Sequence, residues 1–223
     1  MNKSTKIICE VVLGAVIVGL AIWLYSSIMK PVKFDNEYQY RRDVCAEKLK
    51  DIRLLEESYK MAYGHYCGSF DTLFSRLMNE DSLRIVLKEV QHDKIPADVD
   101  VDEMSETEKI KLGYLIRKEA YVNPIAQLRE SGKLTLSDEE ILNLRYVPFP
   151  KDKKYDFTIG AGMVESGGFM VPVFEVKVDL KDLLADMNQQ DVVNKIAALE
   201  QTNRYPGWKV GDLNSPITEG NFE

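Results

Sequence analysis

The chain begins with a long apolar run that ends near residue 30. From Val11 to Met29 it carries no charged residue, and at ~1.5 Å of helical rise per residue this stretch is about 28 Å long. That length matches the ~30 Å hydrocarbon layer of a bilayer, so the pattern predicts a transmembrane helix over residues 11–29. The run exceeds the ~7 to 15 apolar residues of a cleaved signal peptide, and no small-residue cleavage site follows it, which favours an uncleaved anchor.

A second pattern follows the apolar run, with hydrophobic positions every three or four residues. We expect Pro31 to end the membrane helix and a separate amphipathic helix to run from about Asn36 to Tyr63, with Gly64 as its stop signal. This spacing places the hydrophobic side chains on one face of the helix. The positions of this stripe are Cys45, Leu49, Ile52, Leu55, Tyr59 and Ala62.

The rest of the chain predicts short helices and strands. Alternation of apolar and polar residues predicts a strand at Leu83–Val90 and a hairpin that includes Tyr155–Ile159 and Phe174–Leu180, joined by a glycine-rich turn at residues 160–168. An irregular tail with Pro and Gly follows from Arg204. The fold class is therefore α+β, with a long amphipathic helix packed on an antiparallel β-sheet head. Helical segments are predicted at Phe70–Leu77, Ser105–Leu112, Pro124–Glu130, Ser137–Leu144 and, as two short helices, within Leu180–Gln201.

Composition and charge exclude several classes of function. The 223 residues include 29 Lys and Arg against 36 Asp and Glu, for a net charge of -7, and no basic stripe is visible along the chain. Binding to nucleic acid through bulk electrostatics is therefore disfavoured. With 2 His and 3 Cys, the side chains most used in zinc sites and nucleophilic catalysis are scarce. We expect no enzyme activity, no metal and no cofactor.

One acidic segment, residues 98–103, has a metal-binding alternative. Asp98, Asp100 and Asp102 occupy alternate positions, as the first ligands of an EF-hand loop do. The pattern then departs from the loop, because Glu103 stands where the tight turn requires glycine and Lys109 stands where a glutamate binds calcium. A solvated acidic loop is favoured over a calcium site.

The segment that ends the predicted amphipathic helix carries a family resemblance. Residues 51–73, "DIRLLEESYKMAYGHYCGSFDTL", are similar to a region of type IV pilins and of the pseudopilins of type II secretion systems. Those proteins place an aromatic residue such as Tyr59 near the end of their long helix, then a Gly-x-Tyr such as Gly64 to Tyr66, then a leucine such as Leu73 at the start of the globular domain. The order of hydrophobic helix, amphipathic continuation and β-sheet head also matches.

The N-terminus resembles the same family, with one difference. "KIICEVVLGAVIVG" is similar to the family's hydrophobic start, and the glutamate at its fifth position falls on Glu10. The family's prepilin peptidase cuts after a glycine, whereas the corresponding residue here is Thr5, followed by Lys6. The resemblance therefore implies a pilin-like variant that is not processed.

The resemblance implies a non-catalytic structural or assembly subunit of an envelope-spanning pilus-like or secretion complex. We expect residues 1–10 to form a cytoplasmic tail, residues 11–29 to cross the inner membrane once, and residues 30–223 to form a periplasmic pilin-like domain. The expected partners are the membrane, other envelope or secretion-complex proteins, and a second copy of the chain. The alternative is a monomeric, membrane-tethered periplasmic binding module that contacts a soluble ligand or partner through its acidic loop or its tail.

Two features of the membrane helix are candidates for an interface. Ala15 and Gly19 form a small-x-x-x-small pair, which permits close packing of two helices. Glu10 either reaches the headgroup layer, with Lys6 nearby, or takes part in subunit pairing. A charge at the bilayer centre costs ~2.5 to 3.5 kcal/mol, which favours the headgroup position.

The Thr5–Lys6 junction leads to a prediction about the mature N-terminus. Because a branched side chain and a charge stand where the peptidase requires a small residue, we expect "MNKST" to remain attached, apart from loss of Met1. Intact-mass measurement of the protein from native membranes checks this. A mass that corresponds to a chain starting at Lys6 would instead make the protein a processed pseudopilin.

Overall fold

The N-terminal part of the chain forms one long helix. The structure, a computed structural model, describes residues 3–91, 95, 104–150 and 153–223, and for residues 3–10 it describes the helical backbone alone. Helix α1 (Lys3–Tyr63) contains 61 residues and is about 90 Å long at ~1.5 Å per residue. The predicted tail, membrane helix and amphipathic helix are therefore parts of one continuous element.

The prediction that Pro31 ends the membrane helix is wrong, because α1 passes through this residue. A proline inside a helix removes one backbone hydrogen bond and crowds the carbonyl four residues earlier, at a cost of ~3 kcal/mol. Here the helix surface around Pro31 is exposed, so water can donate a hydrogen bond to the freed carbonyl and offset part of this cost.

The first half of α1 has the surface of a membrane helix. Every large apolar side chain from Val11 to Ile28 is more than half exposed, and the apolar window of this helix has no residue buried against the rest of the protein. Such a long exposed apolar surface is compatible with lipid and not with water. The helix is thus a candidate single-pass membrane anchor.

The second half of α1 buries the predicted stripe. Cys45, Leu49, Ile52 and Leu55 are 0% exposed, and together with Tyr59 they form one face of the hydrophobic core. Helix α1 ends at Tyr63, where Gly64 takes φ +79°, a conformation that glycine adopts without strain. The prediction of the stripe and of its stop signal is confirmed.

The first part of the head adds short helices and a two-stranded ribbon to this core. Strands β1 (Leu83–Val90) and β2 (Leu115–Val122) pair antiparallel; β1 was predicted and β2 was not. The predicted helical segments are confirmed to within a few residues at their ends. The helices are α2 (Phe70–Asn79), α3 (Glu106–Lys111), α4 (Pro124–Glu130) and α5 (Asp138–Leu142), with a 3₁₀ turn at Asn143–Arg145.

Two of these short helices begin at capping boxes. The Ser105 hydroxyl accepts a hydrogen bond from the Glu108 N–H, and the Glu108 carboxylate accepts one from the Ser105 N–H. Ser137 and Glu140 repeat the arrangement at the start of α5. This reciprocal pairing satisfies two backbone donors at each helix start, which is why helices of only five or six residues form there.

The second part of the head is a three-stranded antiparallel sheet. Strands β3 (Thr158–Ser166), β4 (Phe169–Asp179) and β5 (Gly207–Gly211) pair in the order β3-β4-β5. The predicted hairpin is present, but its first strand begins at Thr158 instead of Tyr155 and its second at Phe169 instead of Phe174. Its turn is only Gly167 and Gly168, with φ of +61° and +82°. Two-residue turns of this kind need positive φ at both positions, whereas the earlier glycines of the predicted turn lie inside β3.

The chain between β4 and β5 carries the two short helices predicted there, α6 (Leu180–Leu183) and α7 (Gln189–Gln201). Phe174, Val176 and Val178 of β4 are buried against the same core as the α1 stripe. The long helix therefore lies along one side of a small head. The α+β class predicted from the sequence is confirmed, but the head contains two small antiparallel sheets in place of one.

A buried arginine joins α1 to the connection between α6 and α7. Arg41 is 7% exposed, and its guanidinium donates to both carboxylate oxygens of Asp186 and, at 3.1 Å, to the Leu183 carbonyl. Glu37, one turn earlier, accepts a further hydrogen bond at 2.8 Å. The guanidinium carbon also lies 4.9 Å from the centre of the Phe149 ring. A buried cation requires such compensation.

The stripe leads to a stability prediction. Replacing Leu55, which is 0% exposed, by Ala should lower the free energy of unfolding by about 2–5 kcal/mol, because it removes buried methyl groups and leaves a cavity. Met61→Ala, at a position 68% exposed on the same helix, should change it by less than about 0.5 kcal/mol. Denaturant unfolding of the full-length protein in a mild uncharged detergent checks both. Equal losses would mean that the stripe is not the core.

Candidate functional site

The residues of the pilin-like motif meet at the membrane-distal end of α1. Tyr59, Tyr66 and Leu73 all belong to the hydrophobic core, and Gly64 makes the turn between the first two. The Tyr66 ring packs against Phe174 of β4 with ring centres 4.6 Å apart. The motif therefore joins α1, α2 and the three-stranded sheet at one place.

A buried carboxyl group lies inside this junction. Glu56 is 0% exposed, and its Oε2 accepts a hydrogen bond of 2.9 Å from the Cys67 N–H. Its Oε1 has no hydrogen-bond partner among the residues that the structure describes. Burial raises the pKa of Glu56 from 4.5 to about 8, and the bond from Cys67 opposes this only in part. The carboxyl group is therefore neutral over much of the physiological range and ties the loop after α1 to the helix.

The candidate interface residues of the membrane helix lie far from this junction. Ala15 and Gly19 are exposed on α1, and a side chain at Gly19 would meet no other part of the described structure within 4 Å. Glu10 lies on the same helix, and its side chain is outside the described residues. Tyr59 lies 40 positions after Gly19 on the same helix, which separates the two residues by about 60 Å. The structure therefore does not bring the candidate interface residues and the buried junction into one site.

A third region, which we call the membrane-proximal pocket, lies between α1, α7, β5 and the C-terminal residues. Its volume is about 600 Å³, within the range of small-molecule sites. Helix α1 contributes Tyr38 and Arg42, helix α7 contributes Lys195, and the chain from Arg204 to Lys209 forms the opposite wall.

The charged groups of the membrane-proximal pocket are mostly cationic. Arg42, Lys195, Arg204 and Lys209 line it against a single acidic side chain, Glu223. Glu223 pairs outside this group, with Arg53 at 2.9 Å. Arg42 pairs with Asp43 at 2.7 Å, so carboxylates beside the pocket compensate part of this positive charge.

Three of these cations differ in how far neighbouring carboxylates compensate their charge. The ammonium group of Lys209 contacts Glu175 at 3.2 Å and Asp212 at 2.6 Å, so its charge is largely compensated. The ammonium group of Lys195 contacts Asp35 at a longer 3.4 Å. The side chain of Arg204 is exposed and makes no hydrogen bond or ion pair with the described residues. Arg204 is therefore the cation most available to an incoming anion.

The aromatic walls of the pocket are held in place by hydrogen bonds and close packing. The Tyr38 and Trp208 rings lie 6.0 Å apart, and the Tyr205 hydroxyl donates to Asp179 at 2.6 Å. Burial, together with this carboxylate, raises the pKa of Tyr205, so its hydroxyl stays protonated. A side chain at Gly207 would lie 2.2 Å from the Val178 carbonyl and 2.6 Å from the Tyr205 ring. Only glycine permits this approach.

The sequence patterns did not predict the pocket, because its cations come from α1, α7 and the tail. The local signal was the segment "RYPGWK", in which two cations and two aromatic residues occur within six positions. The signal for Glu56 was its place in the stripe, four residues after Ile52 and three before Tyr59. An acidic residue at that position must be buried when the stripe is buried.

The possible calcium loop lies outside the described residues. Asp98, Asp100, Asp102 and Glu103 all fall in the part of the chain that the structure does not describe, so the calcium alternative is not tested. Among the residues that are described, no group of three or more metal-ligating side chains occurs.

Comparison with known proteins does not extend this picture. The chain matches no protein-family model, no curated protein and no solved structure. The pilin resemblance therefore rests on the quoted segments of sequence, and the role that it implies is a proposal.

The buried Glu56 leads to a prediction for pH-dependent stability. In the unfolded chain this carboxyl group ionises near pH 4.5, whereas in the folded protein it stays protonated up to about pH 8. The contribution of Glu56 to the free energy of unfolding is therefore fully present below pH 4.5 and is lost as the pH rises from 4.5 to 8. At ~1.4 kcal/mol per pKa unit, the loss is a few kcal/mol. Glu56→Gln, which keeps an acceptor for the Cys67 N–H, should remove much of this loss.

The measurement is thermal unfolding of the full-length protein in uncharged detergent between pH 5 and pH 8.5, with near-UV circular dichroism as the readout. Glu57→Gln is the matched control, because Glu57 is the next residue on the helix and is only half-buried. The stability of Glu57→Gln should fall with rising pH as it does in the wild-type protein. If the stability of Glu56→Gln falls with pH in the same way, the buried carboxyl group is not the source of the pH dependence.

Proposed function

We propose that the protein is a non-catalytic, membrane-anchored subunit of an envelope-spanning pilus-like or secretion complex. In this proposal residues 11–29 cross the inner membrane, the N-terminus lies in the cytoplasm and the head lies in the periplasm. The single observation that supports it best is the continuous α1, whose first half exposes apolar side chains and whose second half is covered on one face by the head. This arrangement is the one that the pilin resemblance implies.

The proposal favours an accessory role over filament formation. In pilins, the glutamate that corresponds to Glu10 pairs with the amine that processing frees on the neighbouring subunit. The Thr5–Lys6 junction gives no reason to expect such an amine. The small pair Ala15 and Gly19, which has open space around it, then becomes the candidate contact with a second copy of the chain.

Cysteine cross-linking tests this contact in native membranes. In a Cys9→Ser background, Ala15→Cys and Gly19→Cys should each give a disulfide-linked dimer on mild oxidation, because close packing brings the same face of two helices together. The native Cys45 and Cys67 are buried and unpaired, so they should contribute little background. Non-reducing electrophoresis separates dimer from monomer.

The matched control is Ile17→Cys. Ile17 is 58% exposed, but at ~100° per residue it faces away from the direction shared by Ala15 and Gly19. It should give clearly less dimer than either. Equal dimer from all three positions would indicate random collision, and absence of dimer from all three would count against self-association through this helix.

A second candidate function is a monomeric, membrane-tethered binding module. The observation that favours it is the membrane-proximal pocket, whose wall includes the tail residues Arg204, Tyr205, Trp208 and Lys209. A cavity of about 600 Å³ with convergent polar groups is a typical place for a small ligand.

A further inference from the structure

We infer that the outer edge of strand β3 binds an extended, basic segment of another protein, which adds to the three-stranded sheet as a further antiparallel strand. The surface concerned, which we call the open edge, is Gly162–Ser166. It begins after Ala161, where Gly68 approaches the strand: a side chain at Gly68 would lie 3.4 Å from the Ala161 nitrogen. This inference goes beyond the proposed function and does not depend on self-association through the membrane helix.

Alternate residues of β3 direct their backbone groups away from the sheet. The two-residue turn pairs Ser166 with Phe169, so Ser166 and every second residue before it bond to β4, whereas Met163 and Glu165 face outward. Pro172, which has no N–H, lies opposite Met163 in β4, as this pattern requires. Neither Met163 nor Glu165 makes an outward backbone hydrogen bond with the described residues, which leaves two N–H and two C=O groups for an added strand.

Other parts of the sheet's two sides are covered. The Phe157 N–H donates to the Arg145 carbonyl at 2.8 Å, which closes the edge just before β3. On the opposite side of the sheet, the Asn221 N–H donates to the Lys209 carbonyl at 3.1 Å, so the C-terminal tail covers β5. No described segment covers the open edge in this way.

The open edge also lacks the features that protect exposed strands from pairing. Proteins commonly place lysine, proline or a bulge on such an edge. Strand β3 contains no Lys, Arg or Pro, and its register with β4 continues without a bulge from Thr158 to Ser166. The two-stranded ribbon differs, because Arg84, Lys88 and Lys118 lie along its strands. An unprotected edge of this kind is typical of a site where an extended segment adds as a strand.

The direction of the strands excludes a second copy in the same membrane as the occupant. Val171, near the start of β4, lines a small cavity with Lys60 of α1, and the chain after β4 reaches Arg41, which donates to the Leu183 carbonyl. The strands therefore lie along the axis of α1. Antiparallel pairing of two β3 edges needs a two-fold axis perpendicular to the sheet, which would point the two membrane helices in opposite directions. Parallel pairing about a two-fold axis would set N–H against N–H and form no hydrogen bonds.

The position of the open edge excludes lipid as the occupant. Lys60, beside the start of β4, is 31 residues beyond Met29 on the same helix, which is about 46 Å along α1 from the end of the apolar run. Met163, Phe169 and Met170 are 53%, 76% and 60% exposed, and at this height they face water. An added strand would cover part of this apolar surface.

The side chains along the open edge indicate the chemistry of the added segment. Glu165 is the one charged residue of β3; it is exposed and has no ion pair among the described residues, so a lysine or arginine opposite it gains charge complementarity. A side chain at Gly162 would meet nothing within 4 Å. A large apolar side chain of the added strand therefore fits across this glycine. The partner segment is extended, with a cation and a large apolar residue three positions apart.

A synthetic peptide, acetyl-Lys-Thr-Lys-Val-Val-Trp-Thr-amide, is the probe. Its binding to the full-length protein in uncharged detergent is measured by isothermal titration calorimetry, and empty micelles supply the correction for partition. In antiparallel register its third residue lies opposite Glu165, its fifth opposite Met163 and its sixth opposite Gly162. N-methylation of the fifth residue removes a donor that faces β3 and should weaken binding at least about tenfold. N-methylation of the fourth residue, whose N–H faces away, should weaken it less than about threefold.

Two positions of the protein are varied in the same assay. Met163→Pro removes the outward N–H and should weaken peptide binding at least about tenfold, whereas Met163→Ala keeps this donor and should weaken it less than about threefold. The hairpin already contains Pro172 opposite this position, so Met163→Pro should fold, which near-UV circular dichroism checks. Glu165→Lys should weaken binding about threefold and should favour a peptide with glutamate as its third residue. This exchange of charge gives a result even if Met163→Pro unfolds.

The inference is overturned if the unmodified peptide does not bind, if the two methylated peptides bind alike, or if Met163→Pro binds the peptide as well as Met163→Ala does. In native membranes, a disulfide-linked dimer of Met163→Cys in the Cys9→Ser background would make a second copy the occupant, which also overturns it. Cross-linking of Ala15→Cys tests the membrane helix and does not involve the head. Failure of one experiment therefore leaves the other intact.

Discussion

Helix α1 lies in two different surroundings and stays one continuous helix through both. From Val11 to Ile28 the large apolar side chains all face outward, whereas over the second half of the helix one face is apolar and buried and the other is polar. The change occurs around Pro31, where the helix is exposed and no part of the head covers it. The head can bind to α1 only because the helix continues beyond this residue with its stripe in a fixed direction.

Two buried polar side chains lie near the two ends of the contact between α1 and the head. Arg41 is held by Asp186, Glu37 and a backbone carbonyl, and Glu56 is held by a backbone N–H. Between them the buried face of α1 is apolar, and beside it Lys48 donates to the Tyr146 carbonyl at 3.0 Å and Arg53 pairs with Glu223 at 2.9 Å. Because hydrogen bonds and ion pairs of this kind are directional, they help to fix the position of the head along the helix. The membrane-proximal pocket lies beside Arg41, and the contact of Tyr59 and Tyr66 with the three-stranded sheet lies beside Glu56.

Local patterns predicted much of this fold, and the differences have physical causes. The stripe, Gly64 and the strand at Leu83–Val90 each depend on neighbouring residues and were predicted correctly. Pro31 was misjudged because local preference competes with the stability of the whole rod. Strands β2 and β5 lack clear alternation and form because β1 and β4 offer edges for pairing. The pocket was not predicted, because its walls come from parts of the chain more than a hundred residues apart.

The length of α1 beyond the membrane has a mechanical consequence. From Met29 to Tyr63 the helix extends about 50 Å, and the head is fastened to it at both ends of their contact. Membrane helices are tilted by about 20° on average, and a change in bilayer thickness can change this tilt. At the far end of a 50 Å lever that tilt is a sideways displacement of about 17 Å. The rod would thus convert a change of a few ångströms in lipid thickness into a movement of the junction comparable to the width of a helix.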